Sequence, residues 1–119
     1  PPPGPVDIDV IFLGTAGSLP TVRRTPSATL LRRGGDRILV DCGEGTQRRL
    51  MQSVAGLCDL EVVLLTHHHA DHVLGLPGLL RSFALRDRRA PLLLAGPGGT
   101  TALVKAMRPF IGRLTFDLR

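Results

Sequence analysis

Residues 60–72 read Leu60-Glu61-Val62-Val63-Leu64-Leu65-Thr66-His67-His68-His69-Ala70-Asp71-His72. The first half is an aliphatic run of strand length, the pattern of a strand covered on both faces in a parallel sheet. The second half holds all four histidines of the chain within six residues. In an extended segment side chains two apart point the same way, so His67 and His69 can meet one metal ion while His68 points to the other side. If the chain turns after His69, Asp71 and His72 reach a second, neighbouring ion. Three imidazoles and a carboxylate suit Zn²⁺, and in some proteins Mn²⁺ or Fe. The plainer reading is a solvated His-rich loop or a purification tag, but tags sit at chain ends and lack both the Asp and the aliphatic run.

Working outward, residues 27–33 and 37–40 are β-prone runs separated by Gly34-Gly35-Asp36, a hairpin signal. Residues 6–13 are rich in Val and Ile and end in Gly14-Thr15-Ala16-Gly17, a strand entering a turn. The opening is thus a β-meander. Leu50, Met51 and Val54 share a face at helical spacing, which predicts a helix over 44–54 stopped by Gly56. Residues 75–85 read as partly helical around Pro77, 91–95 as a second buried strand, 100–110 as a helix after Gly96-Pro97-Gly98-Gly99, and 114–118 as a last strand. The Pro-rich residues 1–5 read as an extended leader outside the folded unit of 6–119.

Composition sets the outer limits. With 119 residues the chain has room for one domain, and 43% hydrophobic against 21% charged residues is ordinary globular usage. The aliphatic runs fall far short of the ~20 residues a membrane-spanning helix requires, so no membrane partner is expected. Cys42 and Cys58 make no disulfide framework and no secretory leader is visible, which reads as two reduced thiols in the cytoplasm. Of the 15 cationic residues 14 are Arg, and the formal charge is +5. That balance favours an anionic partner such as nucleic acid, although Arg bias can also reflect genome composition. Trp and Tyr are absent and Phe numbers four, so aromatic platforms for single-stranded nucleic acid are scarce.

The pattern His67-x-His69-x-Asp71-His72 after an aliphatic strand resembles the signature of the metallo-β-lactamase superfamily. Phe12-Leu13-Gly14-Thr15-Ala16-Gly17, Asp41-Cys42-Gly43-Glu44-Gly45-Thr46-Gln47 and Asp71-His72-Val73-Leu74-Gly75-Leu76-Pro77-Gly78-Leu79 resemble its ribonuclease Z branch, the tRNA 3′-processing endonucleases. The resemblance covers the chain from about Val6 to its last residue and implies an α/β (α+β) fold, the N-terminal half of an αββα sandwich. It further implies two zinc ions at one sheet edge, where a bridging hydroxide attacks a phosphodiester. Carried over by motif, His67 and His69 hold the first ion, Asp71 and His72 the second, and Asp71 also takes the proton from water. Asp41 resembles the carboxylate that fixes the ligand loop; an ordinary strand-terminal Asp capping the following turn is the equally open alternative. A homodimer of the complete protein and a tRNA precursor as partner belong to the same implication.

Other segments divide between chemistry and structure. Residues 20–25 sit where ribonuclease Z proteins carry a Pro-x-Lys-x-Arg-Asn loop, but Val22 replaces the Lys and Thr25 the Asn, leaving Pro20 and Arg24 as matches and Arg24 as a candidate substrate contact. Arg86, Arg88 and Arg89 form a basic turn that reads as solvated surface or as a phosphate contact. Gly96-Pro97-Gly98-Gly99 lacks the Lys-Ser/Thr of a P-loop and reads as a strand-to-helix turn. Cys42 reads as a small buried residue, since no His is placed beside it by any motif.

After His72 the chain has no further His, and its later acids are Asp87 and Asp117. Ribonuclease Z relatives complete both metal sites with ligands beyond this region, so the chain reads as half an enzyme, inactive alone. Its doubly aliphatic strands then predict an uncovered apolar sheet face, with the metal ligands at its rim. Two alternatives stand beside ribonuclease Z. One is another hydrolase of the same fold, such as a cyclic-nucleotide phosphodiesterase, arylsulfatase or thioesterase; the other is a truncated, non-catalytic metal-binding module.

Overall fold

The computed structural model describes residues 8–15, 27–52 and 60–119. The leader (1–5), Arg24 and Cys58 lie outside the described residues. Five strands form one sheet in sequence order: β1 (Ile8–Gly14), β2 (Ala28–Arg33), β3 (Asp36–Val40), β4 (Val62–Leu64) and β5 (Leu93–Ala95). The first three are antiparallel, and β3, β4 and β5 run parallel. Gly34 makes the tight β2–β3 turn possible by taking φ 55°, a conformation that costs glycine nothing.

Parallel neighbours need crossovers, and helices supply them. Helix α1 (Thr46–Gln52) links β3 to β4. A four-residue helix α2 (Ala70–Val73) and then α3 (Leu76–Leu85) link β4 to β5, and α4 (Thr100–Ile111) follows β5. The 3.6-residue spacing of Leu76, Leu79, Leu80 and Phe83 puts all four into the core, as do Leu50 of α1 and Met107 and Ile111 of α4.

The sheet register separates two faces. One row runs Ile11, Leu30, Leu39, Val63 and Leu94 across all five strands, and the last four of these are buried. The neighbouring row on the opposite face runs Val10, Leu31, Ile38, Val62 and Leu93. None of these five is buried, and Val10 and Leu93 are 51% and 46% exposed. Among the described residues this apolar face is therefore only partly covered, as expected for a sheet whose second layer is absent. The aliphatic runs are not sealed on both sides: within them Val63 is fully buried while Leu64 is 37% exposed.

Two elements differ from the sequence reading. The turn of helix at Ala70–Val73 was not expected as a helix, and the last strand over 114–118 is reduced to one isolated bridge, Leu92 to Leu118. Backbone hydrogen bonds from Leu92 N–H to Asp117, Leu94 N–H to Arg119 and Arg119 N–H to Leu92 hold the segment beside β5. The chain bends at Thr115 and Phe116, where Phe116 packs against Phe83, so side-chain burial there replaces a regular ladder.

Candidate metal centre

The site forms where β3 and β4 end side by side. Because they are parallel, their carboxyl ends coincide, and Asp41 and Thr66 emerge next to one another. Asp41 adopts φ 62°, a left-handed conformation that Asp tolerates better than most residues, and its N–H donates to Leu64 O at 2.7 Å. This bend turns its carboxylate, 3% exposed, toward the ligand loop.

Asp41 accepts hydrogen bonds from the Thr66 N–H (2.8 Å to Oδ1) and from Thr66 Oγ1 (2.8 Å to Oδ2), and its Oδ2 lies 2.8 Å from His72 Nδ1. Thr66 Oγ1 also lies 3.0 Å from His67 Nδ1. The hydroxyl has one proton and the carboxylate is an acceptor only, so Oγ1 donates to Asp41 and accepts from His67 Nδ1–H. His72 Nδ1 must likewise carry the proton it shares with Asp41. One carboxylate thus fixes both rings as Nδ1–H tautomers and leaves both Nε2 lone pairs for a metal.

The donor atoms of His67, His69 and Asp71 lie within 4.8 Å of one another. Ligands about 2.1 Å from a tetrahedral ion stand roughly 3.4 Å apart, so small side-chain rotations close the three around one ion. His72 Nε2 is 3.2 Å from Asp71 Oδ2, and the His67 and His72 ring centres are 3.8 Å apart. Asp71 is therefore close both to the His67–His69 pair and to His72, whose ring lies directly against that of His67. The donor chemistry, neutral imidazoles plus a carboxylate on a partly exposed rim, fits a divalent transition ion.

The loop carrying these groups is fastened at several points. His68 points away from the cluster, its Nε2 2.8 Å from Thr100 Oγ1 at the start of α4. Thr100 Oγ1 donates to Pro97 O and so accepts from the His68 ring. On the other side Cys42 N–H donates to His72 O (2.8 Å) and Gly75 N–H to Cys42 O (2.9 Å). A Cβ on Gly75 would overlap the Gly43 carbonyl oxygen, so this close approach requires glycine.

Cys42 is fully buried, and burial, reinforced by the neighbouring Asp41 carboxylate and only partly offset by a hydrogen bond from Thr46, pushes its thiol up to about 12. It is a protonated core group at neutral pH, with no nucleophilic character. Sequence reasoning missed the hub role of Thr66, whose only trace was its position between the aliphatic run and the first His. It also missed the His68–Thr100 fastening, which no local pattern signals.

This fold and this donor cluster define a class: residues 21–116 match the metallo-beta-lactamase superfamily, and the chain belongs to it. Metal use follows from that membership and from the His67, His69 and Asp71 cluster. Within the superfamily the chain is 46% identical over 104 residues to ribonuclease Z of Methanosarcina acetivorans, covering 85% of this chain and 34% of the relative. It is 50% identical over 97 residues to ribonuclease Z of Natronomonas pharaonis, covering 82% and 31%. The crystal structure of human tRNase Z, short form, superposes with a TM-score of 0.83 at 38% identity, covering 92% of this chain and 42% of that one. The chain spans about a third of the length of the ribonuclease Z relatives it matches. Among the described residues no helix is long and apolar enough to cross a membrane.

Proposed function

We propose that this chain supplies the N-terminal part, residues 6–119, of a cytoplasmic zinc-dependent endoribonuclease that removes the 3′ trailer from tRNA precursors. The observation that carries the reading is the Asp41 hub. It prepares His67 and His72 as metal ligands in a sequence that is 46% identical to a ribonuclease Z. His67, His69, Asp71 and His72 hold two Zn²⁺ ions together with ligands from the remainder of the complete protein. Zinc in such a site acidifies water and polarises a phosphoryl oxygen.

The protein groups have distinct tasks. Asp41 and Thr66 hold ring orientation and tautomer, and the His68–Thr100 contact fixes the far side of the loop. Asp71, adjacent to His72 Nε2 and partly exposed, accepts the proton released when water attacks the phosphodiester. Arg24 is carried as a substrate contact, and homodimerisation of the complete protein as an expectation, both on resemblance alone. The apolar face of the sheet is where the second half of the sandwich packs. The test is cleavage of a precursor tRNA with a labelled 3′ trailer by the complete protein. A single cut at the trailer boundary that stops with a chelator and returns with zinc is expected. Metal-independent cutting, or hydrolysis of thioesters or cyclic nucleotides but not the precursor, would assign another branch of the fold.

A further inference from the structure

The edge of the sheet opposite the metal centre carries a second polar feature. A hollow of about 530 Å³ opens where β3, β4 and β5 begin, lined by Gly35, Arg37, Leu60, Glu61, Phe83, Arg86 and residues 88–91. Among the described residues that line it, Arg37, Arg86, Arg88 and Arg89 stand against one carboxylate, Glu61. At a strand rise of about 3.3 Å the stretch from Glu61 to His67 places this hollow ~20 Å from the metal ligands, outside reach of the reacting bond.

Two of the arginines are built into the wall. Arg88 donates from Nε to Ala90 O (2.8 Å) and from Nη2 to Pro91 O (2.9 Å), and its guanidinium lies 5.1 Å over the Phe83 ring and 5.5 Å from that of Phe116. Arg37 Nη1 donates to Gly34 O at 2.8 Å. Arg86 and Arg89 stand at the mouth and are exposed; Arg89 meets Asp87 in a pair so exposed that solvent screens it. The aromatic floor, Phe83, is already occupied by Arg88 and offers no open ring on which a nucleobase could stack. Guanidinium forks match phosphate oxygens bidentately, and with no stacking surface beside them nothing here holds a base in place.

From this arrangement we infer that the Arg37–Arg86–Arg88–Arg89 hollow is a sequence-independent phosphate site for the RNA backbone, engaging the substrate away from the cut. The inference rests on the ribonuclease reading above. Stacked nucleotides advance about 3.4 Å each, so some six of them bridge the two sites.

The experiment measures binding of a fluorescent precursor tRNA to the complete, metal-stripped protein between 50 and 200 mM salt. Arg86→Ala/Arg89→Ala should weaken binding about tenfold and reduce the salt slope by about two, one for each lost phosphate contact. Lys105→Ala/Arg113→Ala removes the same charge from exposed positions elsewhere and should leave both quantities within twofold. Equal losses in the two pairs, or no loss in the first, overturn the proposal. So does inorganic pyrophosphate raising the melting temperature of the wild type while RNA affinity is the same in both proteins, which would assign a free oligophosphate instead. Hydrolysis of a small activated phosphodiester by the wild type, run alongside with zinc, separates the two readings. Turnover with no cleft effect removes the cleft alone; a cleft effect with no turnover keeps the cleft and removes the hydrolase.

Discussion

Asp41→Asn is the most informative single change. The wild-type carboxylate accepts from the Thr66 N–H, the Thr66 hydroxyl and His72 Nδ1. Asn tolerates the left-handed backbone at φ 62° as Asp does, so the chain trace is retained. Its Oδ1 keeps the Thr66 N–H, but its NH₂ then faces His72 Nδ1 and donates to it. The ring switches to the Nε2–H tautomer, and the lone pair needed by a metal is gone. Exchanging charge-assisted for neutral hydrogen bonds costs the fold about 1–2 kcal/mol. Loss of an orienting carboxylate costs roughly 10- to 100-fold in metal affinity, or about 1.4–2.7 kcal/mol. Zinc affinity by competition with a chromophoric chelator, with melting followed by circular dichroism in excess chelator, separates the two effects. A variant that melts within a few degrees of wild type yet binds zinc at least tenfold more weakly is expected. Wild-type zinc affinity in Asp41→Asn would refute the tautomer argument.

Two further outcomes follow from burial. The Cys42 thiol, raised from 9.0 to about 12 by burial, should resist iodoacetamide at pH 8 in the folded protein and react on unfolding. Since the folded value lies above the unfolded one and the protonated form is neutral, its contribution to stability is complete below pH 9. It declines as pH rises from 9 toward 12, which a melting series in that range measures against Cys42→Ala. The isolated 119-residue chain should self-associate through its apolar sheet face, with a light-scattering mass that rises with concentration, and Val10→Lys/Leu93→Lys should shift it toward monomer. A concentration-independent monomer would show that the face is tolerated bare.

The sheet was legible because its signals are local. Gly34-Gly35 between two β-prone runs fixes a hairpin, and aliphatic runs alternating with helical spacing around Leu50 and Leu79 fix parallel crossovers. The i, i+2 spacing of His67 and His69 puts the two rings near one another, and Asp71 joins them through the turn of helix that follows His69. What escaped the sequence depends on neighbours distant in the chain. Thr66 is a hub only because parallel pairing sets the ends of β3 and β4 side by side, with Asp41, 25 residues earlier, next to it. His68 finds Thr100 across 32 residues. Strand ends at 60–61 and 65–66 and the ladder at 114–118 were read too long, because an aliphatic residue can be buried as readily in an irregular segment as in a strand. The row Val10, Leu31, Ile38, Val62 and Leu93, half-buried at its centre and exposed at Val10 and Leu93, shows the limit of hydrophobicity as a guide to burial in this chain.

The claim that the His67–His72 loop performs phosphodiester hydrolysis on RNA is tested most directly by the single-turnover rate of precursor-tRNA cleavage by the complete protein with Asp71→Ala. A positioned proton acceptor contributes typically 10²–10⁴-fold. The account predicts a rate at least about a hundredfold below wild type, with RNA affinity within threefold; cleavage at the wild-type rate would contradict it.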